Sequence, residues 1–258
     1  MKPVLVLFAV IFMIISCDKV KTDLNKIDSY PVGIGSEWLY DYKLEIIPVS
    51  GEEKIINSEI KVKIEKDTLL NDTMNVLVFR AMDSYSEHTS TQYLFMDSEG
   101  LKNYAYENPG RNVFARNLPD EVLLHQTFNP SIKKKSTIGD DIIYEAIPRL
   151  HIPYPLNINS KWTYLHASER LDWQIDKEVI GRERISLHGK DYDCLKIKWI
   201  YVKSGLSSPP GITDWICEEG LVKRVTLIKN GTLTDEYGQE IEKGDIIEEL
   251  TVNEITLR

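Results

Sequence analysis

Cysteine and histidine are scarce: 3 and 5 in 258 residues. His88, His125, His151, His166 and His188 are scattered without ligand spacing, so no metal is expected. Positive charge is short as well. With 31 Lys and Arg against 40 Asp and Glu, the formal net charge is −9. That argues against nucleic acid, whose phosphates reward clustered Lys and Arg. Catalytic signatures are also missing. No His-Glu-x-x-His occurs, and Gly33-Ile34-Gly35-Ser36 is neither a nucleophile elbow nor a phosphate-binding fingerprint. Ser131-Ile132-Lys133-Lys134 matches Ser-x-x-Lys by letters alone. Asp191-Tyr192-Asp193 and Asp140-Asp141 read most simply as turn residues, and only a carboxylate pair assembled by folding would escape such a scan. The expectation is a protein without cofactor and without enzymatic activity.

Long apolar runs are limited to one. Val4 to Ile15 carries no charge, follows Lys2, and leads into Ile14-Ile15-Ser16-Cys17. A dozen helical residues cover only ~18 Å, against a hydrocarbon core of roughly 30 Å. A signal-peptide core therefore fits better than a membrane span. An aliphatic residue three before the cysteine and a small one just before it resemble the lipobox of bacterial lipoproteins. The resemblance implies cleavage after Ser16 and a diacylglycerol on Cys17. Acyl chains anchor at about 0.8 kcal/mol per buried CH₂. Residues 1–16 are thus read as leader and 17–29 as the lipidated cysteine with a flexible polar tether. The expected address is the cell envelope, at the inner or outer membrane, with the body in the periplasm or at the cell surface.

Helical periodicity is almost absent, and only Leu118 to His125 looks weakly helical. Two-residue alternation takes its place. Ile60, Val62 and Ile64 alternate with charged residues, and Leu195, Ile197, Trp199 and Tyr201 alternate with Lys196 and Lys198. Asn71-Asp72 and His188-Gly189 precede corresponding runs and read as tight turns; Asn230-Gly231 reads as another hairpin. The stretch from Ile246 to Leu257 reads as strand, with an apolar phase shift near Asn253 that suggests a bulge or an edge. All-β is the expected class, with few short helices.

The chain also matches itself. Tyr30-Pro31 and Ser36-Glu37-Trp38-Leu39-Tyr40 recur as Tyr154-Pro155 and Ser160-Lys161-Trp162-Thr163-Tyr164 at a constant offset of 124 residues. Phe95 to Lys102 recurs as Trp215 to Val222, offset by 120. Two tandem copies of one curved antiparallel, half-barrel-like sheet are predicted, over 30–150 and 151–258. The first copy carries a longer loop region, Asn108 to about Asp141, which includes Lys133-Lys134-Lys135. Those lysines suit a solvated loop, or an anionic lipid contact.

Trp38 and Tyr40 share a strand face, as do Trp162 and Tyr164. They either seed the core of each copy, as Trp215 would, or form an aromatic ligand platform. Pro-x(4)-Ser-x-Trp-x-Tyr, then Gly189 to Ile197, then Trp215 to Lys223 resembles the TapB-type family of bacterial envelope proteins. That family is similar in expected shape to the LolA/LolB carriers, a half-barrel around an apolar concavity. The first copy departs from the pattern at Met74-Asn75-Val76 and Asn103. These motifs bear on fold and say little of function.

Cys194 and Cys217 fall in successive strands, and an exported protein keeps disulfides. A bridge there would contribute ~3 kcal/mol; two buried thiols are the alternative. The functional expectation is a membrane-anchored interaction or structural lipoprotein whose partners are other envelope proteins. An apolar-ligand or lipid binder of LolA/LolB type is the alternative, and an unrecognised hydrolase the second alternative.

Overall fold

In the computed structural model, residues 26–84, 89–107, 142–167, 174–203, 209–234 and 240–258 are described. The leader, Cys17, the Lys133 run, the segment from Leu118 to His125, and most of the tether lie outside them. The described residues form strands without a helix, so none is long and apolar enough to cross a membrane. The class is all-β.

The strands are β1 (Lys26–Ile27), β2 (Glu37–Pro48), β3 (Lys54–Leu70), β4 (Met74–Asp83), β5 (Thr89–Met96), β6 (Gly100–Glu107) and β7 (Ile143–Pro153). They continue as β8 (Leu156–Asn157), β9 (Lys161–Leu165), β10 (Gln174–Leu187), β11 (Lys190–Lys203), β12 (Gly211–Cys217), β13 (Gly220–Thr234) and β14 (Glu240–Thr256). Twelve of them make one antiparallel sheet in the order β7-β6-β5-β4-β3-β2-β14-β13-β12-β11-β10-β9. Each half is a meander of sequential hairpins, and the two halves are not separate sheets. The junction is the long β2·β14 ladder, running from Glu37↔Thr256 to Pro48↔Gly244.

The sheet curls until its two outermost strands face each other. No ladder joins β7 to β9, so side chains close the gap. The Trp162 indole donates to the Leu150 carbonyl at 3.0 Å, and the His151 ring stands edge-on to Tyr164 at 5.3 Å. Lys26–Ile27, at the end of the segment read as a tether, pairs with Leu156–Asn157 instead of hanging free. Ile27 is buried there, which gives the pairing its apolar drive.

Alternation decides which face each strand buries. Along β2, Trp38, Tyr40, Tyr42, Leu44 and Ile46 are buried while Glu37, Leu39, Asp41, Lys43 and Glu45 stay partly exposed. Ile60, Val62 and Ile64 do the same on β3. The predicted turns at Asn71-Asp72 and His188-Gly189 hold all four residues at positive φ, in a three-residue loop completed by Thr73 and a two-residue loop between Leu187 and Lys190. Asn253 sits in a bulge of β14 opposite β2, as the phase shift suggested.

Asn230-Gly231 is different from the expected hairpin. β13 runs on to Thr234, and the pair forms a bulge opposite β14. The extra residue's N–H, which the ladder cannot use, donates to the Asp245 carboxylate at 2.8 Å. Asn230 takes the positive φ here that an Asn-Gly hairpin would also ask of it, so the letters do not distinguish a reversal from a bulge.

Positions matched in the sequence have the same local backbone. Gly35 and Asn159 both have positive φ. Their N–H groups donate to Ile64 O and Val179 O at 2.8 and 3.0 Å, and Ser36 O and Ser160 O accept from Ile64 N and Val179 N at 3.0 and 2.9 Å. The next register shift follows at once in both halves, between Ile64 and Lys66 and between Val179 and Gly181.

Candidate functional site

Four adjacent strands carry a row of polar side chains into the buried face of the sheet. On β10, Ile175, Lys177 and Val179 alternate inward, and Lys177 is only 4% exposed. Its cross-strand neighbours are Trp162 on β9 and Trp199 on β11. The ammonium lies 4.0 Å from the Trp199 ring centre and 4.1 Å from that of Tyr164, so two π faces hold it. Its one described hydrogen bond is a long one, donated to His151 O at 3.5 Å.

The row continues through Trp199, whose indole donates to Asp214 Oδ2 on β12 at 2.9 Å. Asp214 sits opposite Arg224 on β13. The guanidinium grips it twice, Nε to Oδ1 at 2.6 Å and Nη2 to Oδ2 at 3.0 Å, a fork geometry that only Arg supplies. Asp214 is 1% exposed. A cavity of about 40 Å³ opens against this row, lined by Lys177, Asp214, Arg224 and His151 together with Phe79 and Gln92.

Burial sets the electrostatics. It would raise the Asp214 carboxyl, but the charge and hydrogen bonds of Arg224, helped by Lys177 and Trp199, outweigh it and hold the group below its ordinary range. Desolvation pulls the Lys177 ammonium down to about 7; Asp214 opposes the fall and Arg224 adds to it. His151 is driven well below its ordinary value, first by burial and then by Lys177, Arg224 and Arg149. Its Nε2 is buried and has no hydrogen-bond partner among the described residues. Arg149 itself pairs with Glu145, Nε to Oε1 at 2.8 Å.

A pH experiment tests the Lys177 environment. Between about pH 7 and the unfolded value near 10.4, the unfolded chain holds a proton that the folded chain lacks. Stability from this group therefore rises with pH through that window and is lost as pH falls to about 7. Lys177→Met removes the titration. The stability of the variant relative to the parent is expected to fall by on the order of 1 kcal/mol per pH unit from about pH 7.5 to 9.5. Tyr164, Asp214, Arg224, His151 and the Arg149–Glu145 pair remain in both proteins, so the difference isolates Lys177. Urea unfolding across the range reads it; a flat difference would mean an ordinary, hydrated lysine.

The residues singled out in the sequence are placed as follows. Trp38, Tyr40, Trp162, Tyr164 and Trp215 are all buried. Of these, Tyr164 belongs to the polar row and Trp162 flanks it. Trp38 and Tyr40 donate to Glu219 O and Leu221 O, at 2.7 and 3.0 Å. Trp215 packs under the ammonium groups of Lys196 and Lys223. Cys194 and Cys217 are both buried and stand as free thiols; hydrogen bonding to Cys194, then burial, pushes the Cys217 thiol far up. Cys17 lies outside the described residues.

Lys177, Asp214, Arg224 and His151 were not legible as a group, yet three of them carried a signal. Each is a charged residue in phase with an apolar stripe: Ile175-x-Lys177-x-Val179, Ile212-x-Asp214-x-Ile216, and Val222-x-Arg224-x-Thr226-x-Ile228. A charge on the buried parity of a strand must find a partner inside.

A second concavity lies elsewhere, a groove of about 740 Å³ flanked by β2, β3 and β14 and reached by Leu187 at the tip of the β10–β11 hairpin. Its charged lining is three carboxylates, Asp41, Glu59 and Glu249, against one cation, Lys43, among the described residues. His188, at the same hairpin tip, meets Asp41 at 3.1 Å.

No protein-family model matches the sequence, so the TapB-type resemblance gains nothing from that comparison, and no curated protein matches it. Among solved structures the chain is similar to a protein described as a lipoprotein from Parabacteroides distasonis ATCC 8503, with 13% identity, 89% of this chain and 99% of that chain covered, and a TM-score of 0.36. It is also similar to a DUF1329 family protein from Desulfovibrio piger ATCC 29098, with 8% identity, coverage of 88% and 87%, and a TM-score of 0.24. An outer membrane lipoprotein-sorting protein domain from Vibrio parahaemolyticus shows 8% identity, coverage of 88% and 86%, and a TM-score of 0.22. Likeness at these scores is one of outline, so function has to be argued from the chain's own geometry.

Proposed function

We propose that the chain is an envelope lipoprotein, held at a membrane through Cys17, whose body is a non-catalytic interaction module. The observation that carries this reading is how the described body is filled. Trp38, Tyr40, Tyr164 and Trp199 occupy the buried face together with the Asp214–Arg224 pair, and the cavity left beside them is about 40 Å³. Ligand pockets for drug-sized molecules run to roughly 300–1,000 Å³. An acyl chain would have to displace rings that are already hydrogen-bonded, which weighs against the LolA/LolB-type alternative. The open groove, at about 740 Å³, is far larger than that cavity, and its carboxylates Asp41, Glu59 and Glu249 suit a cation-bearing protein segment. The same reading takes β2–β7 and β9–β14 as two copies of one unit, supported by the shared backbone at Gly35 and Asn159.

The mature protein, purified in detergent from its native cells, tests both halves of the proposal. Intact mass is expected to show cleavage before Cys17 and a diacylglycerol adduct; a free thiol with the leader still attached overturns the anchor. A photo-crosslinker at Ser58, in the groove, is expected to give a discrete protein adduct that the same probe at exposed Lys198 does not. Adducts confined to lipid, or a second lipid mass retained in native mass spectrometry, would favour the binder instead.

A further inference from the structure

We infer that the cavity beside Lys177 is a binding site for a small monoanion of halide or formate size. Lys177 and Arg224 bring two cations to the row, and Asp214 is engaged bidentately by Arg224. Arg149 has its own carboxylate in Glu145. Lys177 faces two rings and a carbonyl oxygen, with no carboxylate in ion-pair contact among the described residues; Asp214, already gripped by Arg224, acts on it through charge at longer range. The buried group is therefore one negative charge short, and a buried cation without a counter-charge is costly.

The geometry supplies the rest of a site. His151 Nε2 is buried, without a partner, and belongs to a ring that lines the same cavity. A neutral imidazole can place its one N–H on that nitrogen and donate to an anion. The cavity of about 40 Å³ has room for one small ion: about 10–15 Å³ by the same kind of measure holds a water. Leu94 and Leu101 complete the wall and keep the dielectric low, which strengthens the pairing with Lys177. Size and charge together favour chloride or formate over phosphate, whose second charge and volume the site does not match.

The experiment uses the mature full chain at about pH 6, where Lys177 keeps its proton, at fixed ionic strength, with sodium gluconate replaced stepwise by sodium chloride or sodium formate. Gluconate is too large for the cavity. Thermal stability is expected to rise saturably with chloride or formate, and ³⁵Cl line width to show excess broadening that formate competes away. Lys177→Met keeps an unbranched side chain in the slot and is expected to weaken the anion at least 10-fold. His151→Phe, which removes the orphan nitrogen, is expected to weaken it several-fold without changing the anion preference. Equal stability in chloride and gluconate with no excess line width would mean a cavity that takes water only. Wild-type affinity in a folded Lys177→Met would place the anion elsewhere. Either result overturns the site.

Discussion

Asp214→Asn is expected to destabilise the protein by about 3–5 kcal/mol, the cost of removing one partner from a buried ion pair. Asparagine preserves the shape of the side chain and one oxygen for the Trp199 indole. It removes the charge that holds Arg224 and steadies Lys177, so at about pH 6, where Lys177 keeps its proton, two buried cations are left beside the Trp199 ring. Urea unfolding should show a lower midpoint with little change in slope, since the surface exposed on unfolding is unaltered. Two further variants separate electrostatics from packing. Lys177→Met added to Asp214→Asn should recover part of the loss, because one unpaired cation is gone. Replacing the pair together, Asp214→Ile with Arg224→Leu, should cost far less than either single change, since apolar residues repack what two desolvated charges occupied. A loss below about 1 kcal/mol for Asp214→Asn would mean that the pair is hydrated like a surface salt bridge.

Strand content was readable because one wet face imposes a two-residue period, and β2 and β3 bury the residues their alternation nominates. The tight turns were readable because Asn, Asp, His and Gly are the residues that tolerate positive φ. What the pattern could not carry was the pairing of β2 with β14. Nothing in Trp38 or Ile255 states that strands more than 200 residues apart are partners, so the joining of the two curved halves into one twelve-stranded sheet could not be read. The Asn230 bulge failed for a related reason: local preference fixes φ, while the partner strand decides whether the chain turns back. The polar row escaped because Lys177, Asp214 and Arg224 lie on three strands, and each one alone looks like an ordinary surface charge. Only their phase against Ile175, Ile212 and Val222 set them apart, and phase becomes meaningful once the buried face is known.

That long-range seam makes Trp38 the other position where a single change should cost most. Trp38→Ala is expected to destabilise by about 3–5 kcal/mol, the range for deleting a fully buried aromatic side chain. The indole is 1% exposed, packs against Tyr30 at 6.1 Å between ring centres, and donates to Glu219 O at 2.7 Å. It thereby fastens the β12–β13 turn of the second half to the first strand of the sheet. The turn is fitted to it: a Cβ on Gly220 would lie 3.0 Å from the Trp38 Nε1 and from the Tyr30 hydroxyl oxygen, and φ there is +111°. Trp38→Phe keeps most of the apolar surface and loses the hydrogen bond, so a smaller loss of about 1–2 kcal/mol is expected. Hydrogen exchange gives the discriminating readout. If the indole acts as a fastener, Trp38→Ala should deprotect the amides from Cys217 to Leu221 beyond the global loss, while Trp162→Ala, which releases β9 from Leu150, should leave them at the global value. Uniform deprotection in both variants would reduce Trp38 to core volume alone, and the seam between the halves would then rest on the β2·β14 ladder without it.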